Sequence, residues 1–138
     1  MKYIAKNESE TVAIGRKISQ DLKAGDILCL YGNLGAGKTT LVKGVARGLG
    51  VKKPITSPTF ALMNVYPVKP AKLVHIDTYR LKDEQELVDI GIEDYLGASD
   101  AICVIEWPEK MKKLLKKKKT LKIEIEHLRN GRRISVSD

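Results

Sequence analysis

The sequence predicts an α/β fold with three layers around a mainly parallel sheet and an antiparallel hairpin at its C-terminal end. Three observations carry that expectation. Residues 27–30 form a short, unbroken apolar run, the pattern of a parallel strand covered on both faces. The run leads into a glycine-rich segment that opens a helix near Lys38, whose stripe of Leu41, Val42, Val45 and Leu49 stops at Gly50. Near the end, Asn130-Gly131 separates the alternating segment 121–128 from Ile134 and Val136, a strong hairpin signal.

The other elements follow in order. Residues 7–22 read as a helix, with Asn7 and Glu10 as a capping pair and Ile14, Ile18 and Leu22 on one face. Lys23-Ala24-Gly25 turns into a strand at 26–31, and Thr56-Ser57-Pro58-Thr59 is a turn before a strand at 60–66. Residues 73–76 form a short strand ending on Asp77. Asp83 and Glu86 start a helix toward Leu87 and Ile90, and Gly91 interrupts before 92–96. Residues 101–105 form another buried strand, with Glu106 at its end. Pro108 takes the first position of a basic helix carrying Met111, Leu114 and Leu115.

The 138 residues form one domain by size, with no internal repeat and no dividing linker. A globular chain of this length buries roughly two-thirds of its unfolded surface. No segment approaches the ~20 apolar residues of a membrane span, and the N-terminus lacks the apolar stretch of a signal peptide, so a cytoplasmic protein is expected. The two cysteines, Cys29 and Cys103, sit in apolar runs and are expected to be buried free thiols. The formal charge of +8 owes much to Lys112, Lys113 and the run 116–119, expected to be a solvated face. One Trp, five Tyr and one Phe offer no stacking platform for single-stranded nucleic acid.

Gly32-Asn33-Leu34-Gly35-Ala36-Gly37-Lys38-Thr39 fits G-x-x-x-x-G-K-[ST] at every defined position. The glycines let the loop turn its backbone N–H groups inward around phosphates, those of Asn33, Gly35, Ala36 and Gly37 among them, while the following helix presents its positive end. Lys38 can reach the β- and γ-phosphates, and the Thr39 hydroxyl can ligate magnesium. A chance match has odds below roughly one in a hundred at ordinary residue frequencies. The strand before and helix after supply the required context. The fold is therefore expected to be of the P-loop NTPase type.

Such a loop needs an acidic residue at the end of a neighbouring strand to hold the metal. Asp77 and Glu106 both qualify, since strand ends lie at the carboxyl edge where open α/β sheets bind ligands. Asp is the more usual residue there, yet Glu106 follows the better buried-strand pattern, so the two stay unranked. Thr56, Ser57 and Thr59 occupy a loop that could sense the γ-phosphate or simply cap a turn. Trp107 reads as packing or rim, His75 as a structural strand residue, and His127 as half-exposed.

These residues together resemble a known family. Residues 32–40 (GNLGAGKTT), Ser57-Pro58-Thr59-Phe60, His75-Ile76-Asp77-Thr78-Tyr79-Arg80-Leu81 and Ile105-Glu106-Trp107-Pro108-Glu109 occur in the order found in the TsaE (YjeE) family, small bacterial ATPases that support synthesis of threonylcarbamoyladenosine at position 37 of tRNA. The resemblance covers nearly the whole chain. It implies ATP and Mg2+ as ligands, with Thr39 and Glu106 flanking the metal and Asp77 a second acid near the reacting phosphate. It further implies Thr40 at the α-phosphate, Thr59 in a switch-like loop, and Glu8, Thr11 and Arg132 around adenine and ribose. Ile76 and Thr78 depart from more apolar or bulkier family neighbours, leaving Asp77, Tyr79 and Arg80 in place. The implied partners are TsaB and TsaD, the latter making the transfer, with any tRNA contact indirect. The implied activity is slow ATP hydrolysis on the TsaB–TsaD complex, with Lys38, Asp77 and Glu106 as its catalytic residues. The alternatives are a nucleotide-dependent binding module without essential hydrolysis and a small-molecule kinase. For the kinase there is no arginine-rich lid segment.

Overall fold

The structure, a computed structural model, describes residues 1–58 and 60–138; Thr59 lies outside the described residues. In chain order the elements are β1 (Lys2–Ala5), α1 (Glu8–Ser19), β2 (Ile27–Tyr31), α2 (Lys38–Leu49), β3 (Met63–Val68), β4 (Ala71–Asp77), α3 (Gln85–Asp89), β5 (Ala101–Glu106), α4 (Lys112–Leu115), β6 (Leu121–Leu128) and β7 (Gly131–Ser137). Short 3-10 turns cover Ile92–Asp94 and Pro108–Met111.

Among the described residues, seven strands make one sheet in the order β1-β7-β6-β2-β5-β4-β3. Its centre is parallel, with β2 between β5 and β6 and β4 beyond β5. The β6–β7 hairpin and β1 flank one side antiparallel, and β3 flanks the other. This is the expected α/β fold with its C-terminal hairpin. Each face carries a core. Leu28, Leu30, Leu73, Val104 and Ile123 pack under α1 and α2, while Ile27, Cys29, Val74, Ile76, Cys103 and Ile105 pack against Leu87, Ile92, Leu96 and Met111. Three layers result, and the parallel strands are apolar on both sides because both sides are covered.

Two local expectations are sharpened. The Asn7 side chain does accept from the Glu10 N–H at 2.9 Å, but the Glu10 carboxylate reaches back to the Lys6 N–H rather than to that of Asn7. The helix ends at Ser19, three residues earlier than its apolar pattern. Others shift. The strand expected at 60–66 begins only at Met63, because Leu62 takes a left-handed conformation (φ 67°) that breaks the extended chain. The basic helix divides into a 3-10 turn and the single turn α4. Strand β1 and the β3–β4 hairpin were not expected: β1 has only four residues, and its exposed Ile4 hides the alternation in the sequence.

The first helix holds the second at close range. A Cβ added at Gly44 would lie 2.2 Å from the Val12 carbonyl oxygen and 3.0 Å from the Gly15 Cα. These are backbone atoms, so no side chain can swing aside. Gly44→Ala is expected to destabilise the protein by about 3 kcal/mol through overpacking, read as a lowered urea midpoint. An unchanged midpoint would refute this account of the helix pair.

Both thiols are free and buried. Burial, the largest influence, pushes Cys29 from its ordinary 9.0 up to about 11 and Cys103 up to about 12. Both are therefore neutral near pH 8, and iodoacetamide should label neither in the native protein but both after unfolding. The raised values favour the protonated, folded form. Their contribution is complete below pH 9 and fades as pH climbs through 11 to 12. Rapid native labelling at pH 8 would contradict this burial.

Candidate functional site

Strand β2 delivers the chain to the glycine-rich loop at the carboxyl edge of the sheet, and α2 begins inside the motif at Lys38. Gly35 (φ 80°) and Gly37 (φ 104°) take left-handed conformations that side chains resist, which lets the loop curl back over the helix start. The Ala36 N–H closes a turn on the Asn33 carbonyl at 3.0 Å. From β7, two strands away from β2, Arg132 braces this curl, donating from Nε to the Ala36 carbonyl at 2.8 Å and from Nη2 to that of Gly35 at 3.4 Å.

Lys38 is only 5% exposed. Its ammonium donates to the Gly32 carbonyl at 2.6 Å and lies 3.2 Å from the centroid of the Trp107 ring. Burial lowers its pKa, with Glu106, Glu109 and Asp77 pulling the other way. Trp107 itself has a left-handed backbone (φ 61°), and its carbonyl accepts from the Thr78 hydroxyl. That turn at the end of β5 brings the ring back over the loop.

The two acids stand side by side. Asp77 ends β4, Glu106 ends β5, and the parallel register pairs them directly. Both are buried, 5% and 3% exposed. They differ in what they touch. The Thr39 hydroxyl lies 3.0 Å from each Glu106 carboxylate oxygen, whereas Asp77 accepts from the Ser57 hydroxyl at 3.1 Å and from the Tyr79 N–H at 3.0 Å. The open choice between the acids thus acquires a geometric asymmetry. Glu106 adjoins the P-loop hydroxyl; Asp77 faces the Ser57 loop.

Thr39 and Glu106 offer hard oxygen donors, the kind magnesium takes. Among the described residues no group of three His, Cys, Asp or Glu side chains could enclose a metal. A hydroxyl and one carboxylate fit an ion that keeps waters and adds phosphate oxygens.

These groups open onto one cleft of ≈ 500 Å³, within the roughly 300–1,000 Å³ typical of small-molecule sites. Gly35, Gly37, Lys38, Thr39, Thr40, Asp77 and Glu106 line it, as do Glu8, Thr11 and Arg132. Asn33 and Ala36 lie on the loop without lining the cleft. Thr59 falls outside the described residues. Tyr79 and Trp107 also line the cleft, Trp107 having read as core or rim packing. His75, read from the sequence as a structural strand residue, lies with Nε2 2.6 Å from Glu106 Oε2, a contact that reading did not foresee. The available signal was its two-residue spacing from Asp77, which puts both on one face of a strand.

A family model, "Threonylcarbamoyl adenosine biosynthesis protein TsaE", matches residues 5–134. A Bacillus subtilis protein named tRNA threonylcarbamoyladenosine biosynthesis protein TsaE is 41% identical over 107 residues, covering 78% of this chain and 66% of that protein, just under two-thirds of its length. The Haemophilus influenzae protein of the same name is 35% identical over 135 residues, covering 94% of this chain and 84% of its own. The crystal structure of Bacillus subtilis YdiB superposes with a TM-score of 0.81 at 31% identity, covering 99% of this chain and 83% of that one.

Proposed function

The chain belongs to the TsaE family, and from that premise we propose that it binds ATP with magnesium in the cleft and hydrolyses it to support threonylcarbamoylation of adenosine 37 in tRNA. The observation that carries the nucleotide reading is the Thr39 hydroxyl set against both oxygens of Glu106 immediately beyond a complete phosphate loop. Hydrolysis is expected to be slow alone and productive on the TsaB–TsaD complex in the cytoplasm. Among the described residues no helix is long and apolar enough to cross a membrane.

In this mechanism the loop N–H groups and Lys38 neutralise charge on the β- and γ-phosphates as water attacks the γ-phosphorus and the bond to the bridging oxygen breaks, leaving ADP and phosphate, with the water's proton passing by way of the phosphate oxygens to solvent. Lys38 leaves the Gly32 carbonyl for phosphate oxygens. Thr40 holds the α-phosphate, and Glu8, Thr11 and Arg132 border the nucleoside. Asp77 orients the attacking water, its own orientation held by Ser57 and the Tyr79 N–H. Thr39 and Glu106 would hold magnesium, which would supply further charge neutralisation at the phosphates.

The test is reconstitution with TsaB–TsaD, ATP and unmodified tRNA, omitting each component in turn. Many cycles of modification should need all of them, and a non-hydrolysable ATP analogue should stop the reaction after about one cycle. Many cycles with the analogue would leave a binding module whose hydrolysis is incidental.

A further inference from the structure

His75 sits in the middle of the buried sheet, fully enclosed, between positions that otherwise carry Val74 and Ile76. A strand interior of this kind is served best by an apolar side chain. The imidazole instead leaves Nδ1 buried without a hydrogen-bond partner among the described residues, an arrangement native structures rarely keep without a return. Its other nitrogen makes the compensating contact, with Nε2 2.6 Å from Glu106 Oε2. A carboxylate oxygen only accepts, so the hydrogen of that contact lies on Nε2. The Thr39 hydroxyl approaches the same carboxylate from the loop side at 3.0 Å from each oxygen. Glu106 is therefore gripped from two elements, β4 and the start of α2.

We propose that His75 is a positioning residue for Glu106, its Nε2–H fixing the carboxylate so that it meets Thr39 in the orientation a magnesium ion requires. The inference rests on the reading of Glu106 as the metal-side acid. Two rotatable bonds separate that carboxylate from its Cβ, and without a donor at Oε2 it would sample orientations that turn away from Thr39. Partners standing behind a metal ligand commonly change metal affinity about 10–100-fold when removed. The imidazole acts here as a donor through Nε2, and Nδ1 takes no part.

The experiment measures Mn2+ affinity by electron paramagnetic resonance, in the full chain with a non-hydrolysable ATP analogue. The variants are Glu106→Gln, His75→Leu, His75→Gln and His75→Asn. Gln places an amide N–H where Nε2 stands; Asn places one where Nδ1 stands. His75→Leu and His75→Asn should bind Mn2+ about tenfold more weakly, with His75→Gln restored to within about threefold. Should His75→Leu not fold, the Gln and Asn pair carries the comparison alone. Equal affinities for Gln and Asn, whether both weak or both normal, overturn the proposal and leave packing only. Normal affinity in His75→Leu with weakened affinity in Glu106→Gln overturns it while sparing the assignment of Glu106. Normal affinity in Glu106→Gln removes that assignment, and the role of His75 with it.

Discussion

Lys38→Ala protein is expected to bind ATP about 100-fold more weakly and to show no measurable turnover, while folding normally. The ammonium is the one side-chain cation of the loop motif, and contacts between a charged donor and phosphate oxygens are roughly twice as strong as neutral ones. A 100-fold loss corresponds to about 2.7 kcal/mol. Against that, the contacts Lys38 makes to Gly32 and Trp107 are modest for stability, since a typical hydrogen bond contributes about 1 kcal/mol net and burial of the ammonium opposes it. Phosphate binding therefore dominates the phenotype. Titration with a fluorescent ATP analogue, beside a urea unfolding curve, separates the two effects. Binding within about threefold of the unaltered protein would remove Lys38 from the phosphate site.

Glu106→Ala should behave differently. ATP affinity measured in EDTA should stay within about threefold, whereas the gain on adding magnesium should vanish and hydrolysis at saturating ATP should fall about 1,000-fold. The distinction follows from position. Glu106 touches Thr39 and His75 and none of the loop N–H groups, so it serves the metal rather than the phosphate cradle. Removing it also leaves the buried His75 donor without its acceptor, a loss of roughly 1–3 kcal/mol in stability. Assays should therefore run well below the unfolding midpoint. A magnesium response equal to that of the unaltered protein would shift the metal role to Asp77.

The contrast between these variants bears on what was legible beforehand. Lys38 and Thr39 belong to a contiguous motif whose chemistry is set by local backbone geometry, and a strand before plus a helix after is enough to recognise it. By their own pattern the two acids were legible only as strand ends, and it was the family resemblance that set Glu106 at the metal and Asp77 nearer the reacting phosphate. Nothing local in the residues distinguished them, because the difference is which one the start of α2 meets. Asp77 instead meets Ser57, twenty residues back in the chain. His75 was set aside as structural because a lone histidine in an apolar strand carries no pattern of its own.

The sequence alone determined the phosphate loop, its flanking strand and helix, the buried parallel strands and the closing hairpin, since each is written in neighbouring residues with a period or a turn chemistry. Tertiary structure decided the rest. Strand β1 finds β7 from the opposite end of the chain, and α1 meets α2 at a Gly15–Gly44 approach that no hydrophobic pattern announces. The parallel register of β4 beside β5 then sets Asp77 next to Glu106, and the turn into α2 carries Thr39 to the second of them. A residue's chemistry is local, but its partner depends on strand order and register, which only the packed sheet supplies.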